Sequence, residues 1–228
     1  MTLRVGLVGA GNMAATHATG WAEAGDRVTH VLGAGSSRAE ALAGQLDADV
    51  SADYDALLAA VDVVDICSPT DTHLEYIRIA AAHAIPIVCE KPLARTPAEA
   101  WEAVAICETA AVPLLVAHVV RFFPEYAGAR HLVLAGDIGE VAVMRLDRST
   151  HFPMRPGLWF GDHARSGGVV LDLMIHDIDY ARWVAGEVTR VYARRARHAG
   201  SGGHALATLR HAGGALTHIQ ASWDFPKG

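Results

Sequence analysis

The chain has 228 residues, 51% of them hydrophobic and 19% charged, enough for one large domain or two small ones with a packed core. Its net charge of −6 and the lack of a basic tract argue against a general binder of nucleic acids or anionic membranes. No apolar stretch is as long as a transmembrane helix, and no signal peptide is recognisable. The cysteines lie in separate apolar segments without CxxC spacing, which favours free thiols and a soluble cytoplasmic protein: Cys67, Cys89 and Cys107.

The first half of the chain alternates short apolar runs with helical segments. This alternation implies βαβ units, and we predict a parallel sheet covered by helices on both faces. The predicted strands are residues 3–11 with a closing glycine turn, 28–32, 61–67, 85–89 and 112–118. The predicted helices are residues 13–24, 38–45, 74–83 and 97–111.

The second half changes character near residues 121–124. One strong helix is predicted over residues 169–185, and strands over residues 141–150, 188–196, 204–210 and 215–223. The turn at residues 212–214 predicts a hairpin between the last two strands. We therefore predict two domains: a doubly wound α/β domain over residues 1–120 and an α+β domain with a mostly antiparallel sheet over residues 121–228.

Residues 9–14 read GAGNMA and fit the pattern G-x-G-x-x-G/A, with a predicted strand before and a helix after. Gly9 permits a tight turn, and Gly11 allows the backbone to approach a pyrophosphate. The helix start at Asn12 and Met13 supplies amide donors and the positive end of the helix dipole. We predict a Rossmann dinucleotide-binding domain; the alternative is a glycine turn in an unrelated α/β protein.

The second predicted strand does not end in the acidic residue that holds the ribose hydroxyls of NAD in such folds. Residues 33–38 instead read GAGSSR. Small hydroxyl residues and an arginine suit a 2′-phosphate, so Ser36, Ser37 and Arg38 slightly favour NADP over NAD. The alternative is that Arg38 only begins the next helix on a solvated face.

Five segments in order carry a family resemblance. They are GAGNMAATHA (9–18), SPTDTHLEYI (68–77), CEKPLA (89–94), RFFPEY (121–126) and SGGVVLDLMIHDIDYARWVAG (166–186). Together they resemble the Gfo/Idh/MocA family of NAD(P)-dependent oxidoreductases. The resemblance implies an N-terminal Rossmann domain and a C-terminal α+β domain whose open sheet often mediates oligomerisation, so we expect a homo-oligomer. Family members usually continue past the point corresponding to residues 221–228, so the chain is either a short member or incomplete.

A Glu-Lys-Pro turn follows the strand predicted over residues 85–89. Ligands of doubly wound sheets bind at the carboxyl ends of the strands, so Lys91 can project beside the nicotinamide. The family resemblance assigns Lys91 a catalytic role and makes Glu90 an orienting or cofactor contact. An ammonium there would stabilise a developing alkoxide. The alternative is a surface ion pair at the end of a strand.

Asp172 and His176 are spaced i,i+4 on the helix predicted in the second half, so they share one face. Histidine has a suitable pKa for a general base in alcohol oxidation, and the resemblance matches Lys91, Asp172 and His176 to the catalytic residues of the family. The alternative is an exposed pair on a helix surface. A metal site built on His176, Asp177 and Asp179 is rejected, because adjacent helical residues point apart.

The remaining candidates follow the later strands and loops. Pro69, Thr70 and His73 follow the strand at residues 61–67 and would line the nicotinamide side, although His73 could equally be a helix residue without a ligand. Arg121 would contact the cofactor or form an ion pair between domains. The irregular loop offers candidate substrate contacts that could instead only pack the loop: His151, Arg155, Trp159 and Phe160.

These observations predict an NAD(P)-dependent dehydrogenase or reductase that transfers hydride between the nicotinamide and a carbinol or carbonyl carbon. By resemblance, the substrate is a sugar, a sugar derivative or a cyclitol. The alternative is a non-catalytic NAD(P)-sensing regulator or scaffold on the same fold, because some relatives are regulators. The presence of Lys91, Asp172 and His176 favours the enzyme, since a sensor does not require them.

Overall fold

Two compact units make up the chain, Met1–Ala117 and His118–Gly228. A computed structural model describes residues 2–33, 36–152, 159–196 and 202–225. No helix within these ranges is both long and apolar enough to cross a membrane.

The first unit contains a parallel sheet of six strands in the order β3-β2-β1-β4-β5-β6. This is the strand order of a dinucleotide-binding doubly wound sheet, so the predicted Rossmann sheet is confirmed. The strands are β1 (Arg4–Val8), β2 (Arg27–Leu32), β3 (Asp49–Val50), β4 (Val63–Ile66), β5 (Ile87–Glu90) and β6 (Leu114–Ala117).

Helices cover both faces of this sheet. The neighbouring β1 residues Leu7 and Val8 belong to different hydrophobic clusters, because successive side chains of a strand point to opposite faces. The cluster of Leu7 includes apolar residues of α1 and α2, and the cluster of Val8 includes those of the other three helices. The helices are α1 (Asn12–Glu23), α2 (Ser36–Leu46), α3 (Tyr54–Ala60), α4 (His73–Ala82) and α5 (Pro97–Ala110).

One short strand and one short α-helix of the first unit were not predicted. β3 has two residues, and α3 has seven, too few for a clear periodic pattern. The side chain of Asp53 caps α3 by accepting the Ala56 N–H at 2.8 Å. Leu57 on α3 is fully buried in the core, so packing and the cap define this helix.

The second unit contains a four-stranded sheet in the order β7-β10-β9-β8. β9 pairs antiparallel with β8 and β10, while β7 and β10 are parallel, which confirms a mostly antiparallel sheet. The predicted hairpin is present, and the Gly214 N–H donates to the His211 carbonyl at 3.0 Å within its turn. The strands are β7 (Val143–Ser149), β8 (Val188–Ala196), β9 (His204–His211) and β10 (Leu216–Ser222).

The helices of the second unit differ from the prediction. The helix predicted over residues 169–185 is present, but Val170–Met174 within it is π-helical, and the regular α-helix α8 begins at Ile175. α6 was not predicted, and it has no buried residue that would create an apolar periodicity. The helices are α6 (Pro124–Ala135), α7 (His163–Ser166) and α8 (Ile175–Ala185).

Candidate cofactor and catalytic site

The glycine turn after β1 fits a bound pyrophosphate. Gly9 has φ +111°, and a Cβ there would lie 2.7 Å from the Cys67 carbonyl oxygen, so a side chain is excluded. Its N–H donates to the Leu32 carbonyl at 2.7 Å. A Cβ at Gly11 would meet no atom within 4 Å, and Gly11 gives α1 no side-chain cap. The first amides of α1, at the exposed Asn12 and Met13, are therefore available to an anion.

The end of β2 lacks an acidic residue, as the sequence indicates. A Cβ at Gly33 would lie 3.1 Å from that of Ala39, so the chain packs closely where β2 leaves the sheet. α2 begins at Ser36, and Ser37 and Arg38 are exposed in its first turn. An exposed Arg38 fits both a ligand for a 2′-phosphate and a solvated helix residue.

The loop after β4 packs against the Glu-Lys-Pro turn through His73. Pro69 precedes a short 3₁₀ turn in which Thr70 is buried, and His73 opens α4 with 1% exposure. Nε2 of His73 lies 2.9 Å from the Ser68 carbonyl oxygen, and Nδ1 lies 3.0 Å from the Pro92 carbonyl oxygen. Burial lowers the pKa of His73, so a neutral ring donates to one of these carbonyls.

The burial of His73 changes its interpretation. A side chain with 1% exposure leaves almost no surface for a cofactor, which favours the alternative of a structural helix residue. The ring holds the loop after β4 against the loop after β5. The sequence left both interpretations of His73 equally open, because its position after a strand was readable, whereas its burial was not.

Glu90 ends β5, and Lys91 follows it, at the same edge of the sheet as the glycine turn. Glu90 is 6% exposed, and its Oε2 accepts the backbone N–H of Lys91 at 2.9 Å. Its Oε1 lies 2.9 Å from His17 Nε2. Both oxygens thus face protein groups, which gives Glu90 an orienting position, and Lys91 follows it as a half-buried residue.

Sequence reasoning missed the residue on the other side of Glu90. His17 lies on α1, and its Nδ1 is 2.9 Å from Oδ2 of Asp65, a fully buried carboxylate on β4. The indole N–H of Trp21 donates to the same oxygen at 2.7 Å. The available signal was Asp65, an acid in the middle of the apolar strand VDVVDIC.

Electrostatics favour a protonated His17. Burial alone would lower its pKa, but hydrogen bonds with Asp65, Cys67 and Glu90 outweigh burial and raise the pKa to about 12. The Cys67 Sγ lies 3.4 Å from His17 Nδ1. Burial raises the pKa of the Cys67 thiol to about 12, so it remains protonated beside the imidazolium.

The second unit carries Asp172 and His176 at the start of its long helix. Asp172 lies within the π-helical turn, and His176 is the second residue of α8. Both are half-buried. The two residues therefore do not share one stretch of regular α-helix, which the i,i+4 expectation assumed.

Two further acids on α8 are held by arginines of the same unit. The carboxylate of Asp177, which is 1% exposed, accepts hydrogen bonds from Nε and Nη2 of Arg148 at 2.8 and 2.9 Å. The carboxylate of Asp179 accepts hydrogen bonds from Nε and Nη2 of Arg121 at 2.7 and 2.6 Å. The ion pair of Arg121 lies inside the second unit and so is not the ion pair between domains that the sequence suggested.

The irregular loop is described in part. His151 is exposed, and its backbone forms an isolated antiparallel β-bridge with that of Asp224. Trp159 and Phe160 stack with ring centroids 4.3 Å apart and an angle of 27° between the rings. Arg155 lies outside the described residues.

Two family profiles match nearly the whole chain. The oxidoreductase family profile with an NAD-binding Rossmann fold matches residues 3–118. The GFO/IDH/MocA C-terminal domain profile matches residues 126–228.

Individual relatives agree with these profiles. The chain is 35% identical over 192 residues to an inositol 2-dehydrogenase of Rhizobium meliloti, covering 82% of this chain and 56% of that protein. It is 31% identical over 196 residues to the D-xylose 1-dehydrogenase (NADP(+)) 2 of Haloferax volcanii, covering 84% of this chain and 60% of that protein. The chain thus spans about 56–60% of the length of these relatives.

A solved structure shows the same fold. It is an oxidoreductase from Agrobacterium radiobacter in complex with NAD+, L-tartaric acid and magnesium. The TM-score is 0.88 at 26% identity, and the match covers 100% of this chain and 68% of that chain.

Replacing Gly9 tests the turn, with Gly20 as a matched control. We expect Gly9→Ala to lower the free energy of unfolding by about 2 kcal/mol or more, because alanine at this φ is strained and its Cβ overlaps the Cys67 carbonyl. Gly20 lies within α1, and its Cβ would meet no atom within 4 Å, so Gly20→Ala should add about 0.5–1 kcal/mol. Urea unfolding measures both; equal effects would contradict the turn geometry.

Stability should depend on pH through His17. A raised pKa in the folded state stabilises the protein fully below the unfolded value of 6.5 and loses that effect as pH rises towards 12. Above pH 6.5 the free energy of unfolding should fall by up to about 1.4 kcal/mol per pH unit.

The matched comparison uses two glutamine variants. His17→Gln should remove most of this slope. His83→Gln should keep it, because His83 is 44% exposed beside Asp55. Urea titrations from pH 6.5 to 9.5 measure the slopes, and a wild-type slope equal to that of His17→Gln would contradict a protonated His17.

Proposed function

The chain belongs to the Gfo/Idh/MocA family of NAD-binding oxidoreductases, and we propose that it is an NAD(P)-dependent dehydrogenase or reductase. It would transfer hydride between the nicotinamide and a carbinol or carbonyl carbon of a sugar, sugar derivative or cyclitol. The names of the relatives support this substrate class, since they include an inositol and a xylose dehydrogenase.

The observation that carries the proposal is the position of two turns in the first unit. β1 and β5 both pair parallel with β4, so Gly9 and Lys91 leave the sheet at the same edge. The His17–Glu90 contact of 2.9 Å joins the helix that follows the first turn to the residue that precedes Lys91. A dinucleotide whose pyrophosphate lies at the start of α1 would then have Lys91 at the same edge.

The cofactor, when bound, accepts or donates the hydride at its nicotinamide ring. In the oxidation direction the substrate hydroxyl also loses its proton, and negative charge develops on its oxygen. The ammonium of Lys91 would stabilise that charge. The buried carboxylate of Glu90 fixes the backbone from which this lysine extends.

Asp172 and His176 complete the proposed catalytic set. An imidazole can take the hydroxyl proton in oxidation and return it in reduction. The carboxylate of Asp172 would accept a hydrogen bond from a substrate hydroxyl. The family match supports these roles, and the half-buried positions of both residues leave them accessible.

The preference for NADP is part of the proposal. The end of β2 lacks the carboxylate that favours NAD, and it offers the exposed Ser37 and Arg38 of α2 to a 2′-phosphate. Arginine suits such a group because its planar guanidinium can donate two parallel hydrogen bonds.

A homo-oligomer through the C-terminal sheet is also proposed. The outer face carries exposed apolar side chains, with Tyr192 at 60% and Leu206 at 54% exposure. A sheet face with exposed apolar side chains is suited to a second copy of the chain. Sedimentation velocity should detect a dimer or larger species, and a monomer at every concentration would contradict this part.

The cysteines support a reducing compartment, and we keep the cytoplasm as the proposed location. Cys89 and Cys107 are buried, Cys67 is half-buried, and all three are free thiols. Subcellular fractionation tests this point.

Calorimetric titration with NAD(H) and NADP(H) tests cofactor binding first. We expect micromolar binding with NADP preferred, and Arg38→Ala should weaken NADP binding about 10-fold or more because a charged hydrogen bond to the 2′-phosphate is lost. NAD binding should change little. Arg78→Ala, at a surface arginine paired with Glu102, serves as the matched control. Binding of neither cofactor to the folded chain would contradict the proposal, and equal losses for both cofactors in Arg38→Ala would contradict the NADP preference.

Lys91→Met tests the catalytic role. We expect kcat on a sugar and cyclitol panel to fall by about 10²–10³-fold, because the alkoxide loses its stabilising charge while the side-chain length is kept. Cofactor affinity should stay within about 3-fold of the wild-type value, since the glycine turn that would bind the pyrophosphate is unaffected.

The control is Lys227→Met, which changes the other lysine of the chain. It should leave kcat unchanged. Cofactor binding without turnover on the whole panel would instead favour the NAD(P)-sensing alternative.

A further inference from the structure

A histidine on α1 lies between two buried carboxylates from neighbouring strands. Its Nδ1 faces Asp65 on β4, at 2.9 and 3.1 Å from the two oxygens, and its Nε2 faces Glu90 on β5 at 2.9 Å. The side chain of His17 is 16% exposed, and those of Asp65 and Glu90 are 0% and 8% exposed. A neutral imidazole has a single N–H, so both contacts are hydrogen bonds only when both nitrogens carry protons.

We propose that His17 is a positioning residue that holds Glu90, and through it the backbone of Lys91, in the geometry that the reaction requires. This inference rests on the proposed function, because it concerns the lysine placed there in the reaction. His17 itself would touch neither substrate nor cofactor.

The hydrogen bonds form one continuous path to Lys91. Trp21 and His17 both donate to Asp65, which is buried in the sheet and fixes the imidazole ring. The other side of the ring donates to Oε1 of Glu90, and Oε2 of Glu90 accepts the Lys91 N–H at 2.9 Å. Asp65, His17 and Glu90 therefore each have a hydrogen-bond partner on both sides.

Packing alone does not require this polar path. α1 already packs on the sheet through the fully buried Ala14 and the nearly buried Ala18. Replacing buried ion pairs by apolar groups of similar volume is often neutral or stabilising. The charged path ends at the turn that carries Lys91, so orientation of that turn is the property that apolar packing would not provide.

The size of the expected effect follows from the geometry. Displacing a reacting group by about 1 Å can cost about 100-fold in rate. Without His17, the Glu90 carboxylate loses its partner and can rotate away from the Lys91 amide. We therefore expect His17→Gln to lower kcat about 100-fold while cofactor affinity stays within about 3-fold.

A double-mutant cycle separates positioning from general stability. In a connected path, His17→Gln with Glu90→Gln should lower kcat no more than the worse single variant. His83→Gln is the matched control, because His83 also lies beside a carboxylate, 3.4 Å from Asp55, but away from this path. Unchanged kcat in a folded His17→Gln variant, or additive losses in the cycle, would overturn the inference.

A spectroscopic measurement keeps the test independent of turnover and of the folding of variants. In the wild-type chain, ¹⁵N NMR should show both ring nitrogens of His17 protonated at pH 7.5. A singly protonated ring would overturn the inference. So would one equivalent of a transition metal that elemental analysis finds in the wild-type chain but not in His17→Gln, because Nδ1 would then carry the metal beside Asp65 and Cys67. A protein that binds no cofactor and turns over no substrate fails the proposed function, whereas the NMR result decides the charge of His17 separately.

Discussion

Parallel pairing of β4 with both β1 and β5 is the constraint on which the arrangement of the first unit depends. It brings the residues after three strands to one edge, where their loops pack against each other. The absent side chain of Gly9 leaves room for the Cys67 carbonyl, and the buried ring of His73 lies between the carbonyls of Ser68 and Pro92. The glycine turn at Gly9 and the turn at Lys91 are thus parts of one packed edge. A change in the loop after β4, which packs against both turns, would disturb both.

Charge is the second constraint on this edge. Asp65 is fully buried within the sheet, and a carboxylate there is tolerated only with a compensating partner. The imidazolium of His17 offsets part of the charge of Asp65 and Glu90, and Trp21 donates a further hydrogen bond to Asp65. Removing the cation would leave two carboxylates facing a shared space, which explains why the pKa of His17 is raised although burial opposes it.

Much of the fold could be predicted because its signals are local. Strand and helix periodicity and the glycine turn each occupy fewer than about twenty residues. The two carboxylate partners of His17 are 48 and 73 residues away along the chain, so no local pattern could reveal them. The π-helical turn at Asp172 was missed because an apolar pattern does not specify whether the backbone bonds close over four residues or five. The burial of His73 depends on the tertiary packing of two loops.

The second unit shows a similar division of roles among its acids. Asp177 and Asp179 bind Arg148 and Arg121, and these ion pairs fix the rotation of α8 about its axis. Successive residues of a helix are about 100° apart, so the direction of His176 is set by the pairing of its neighbour Asp177. In each unit a buried carboxylate paired with a cation fixes the element that carries a proposed catalytic side chain. The proposed reactive groups can therefore stay partly exposed, because their orientation comes from neighbours that take no part in the chemistry.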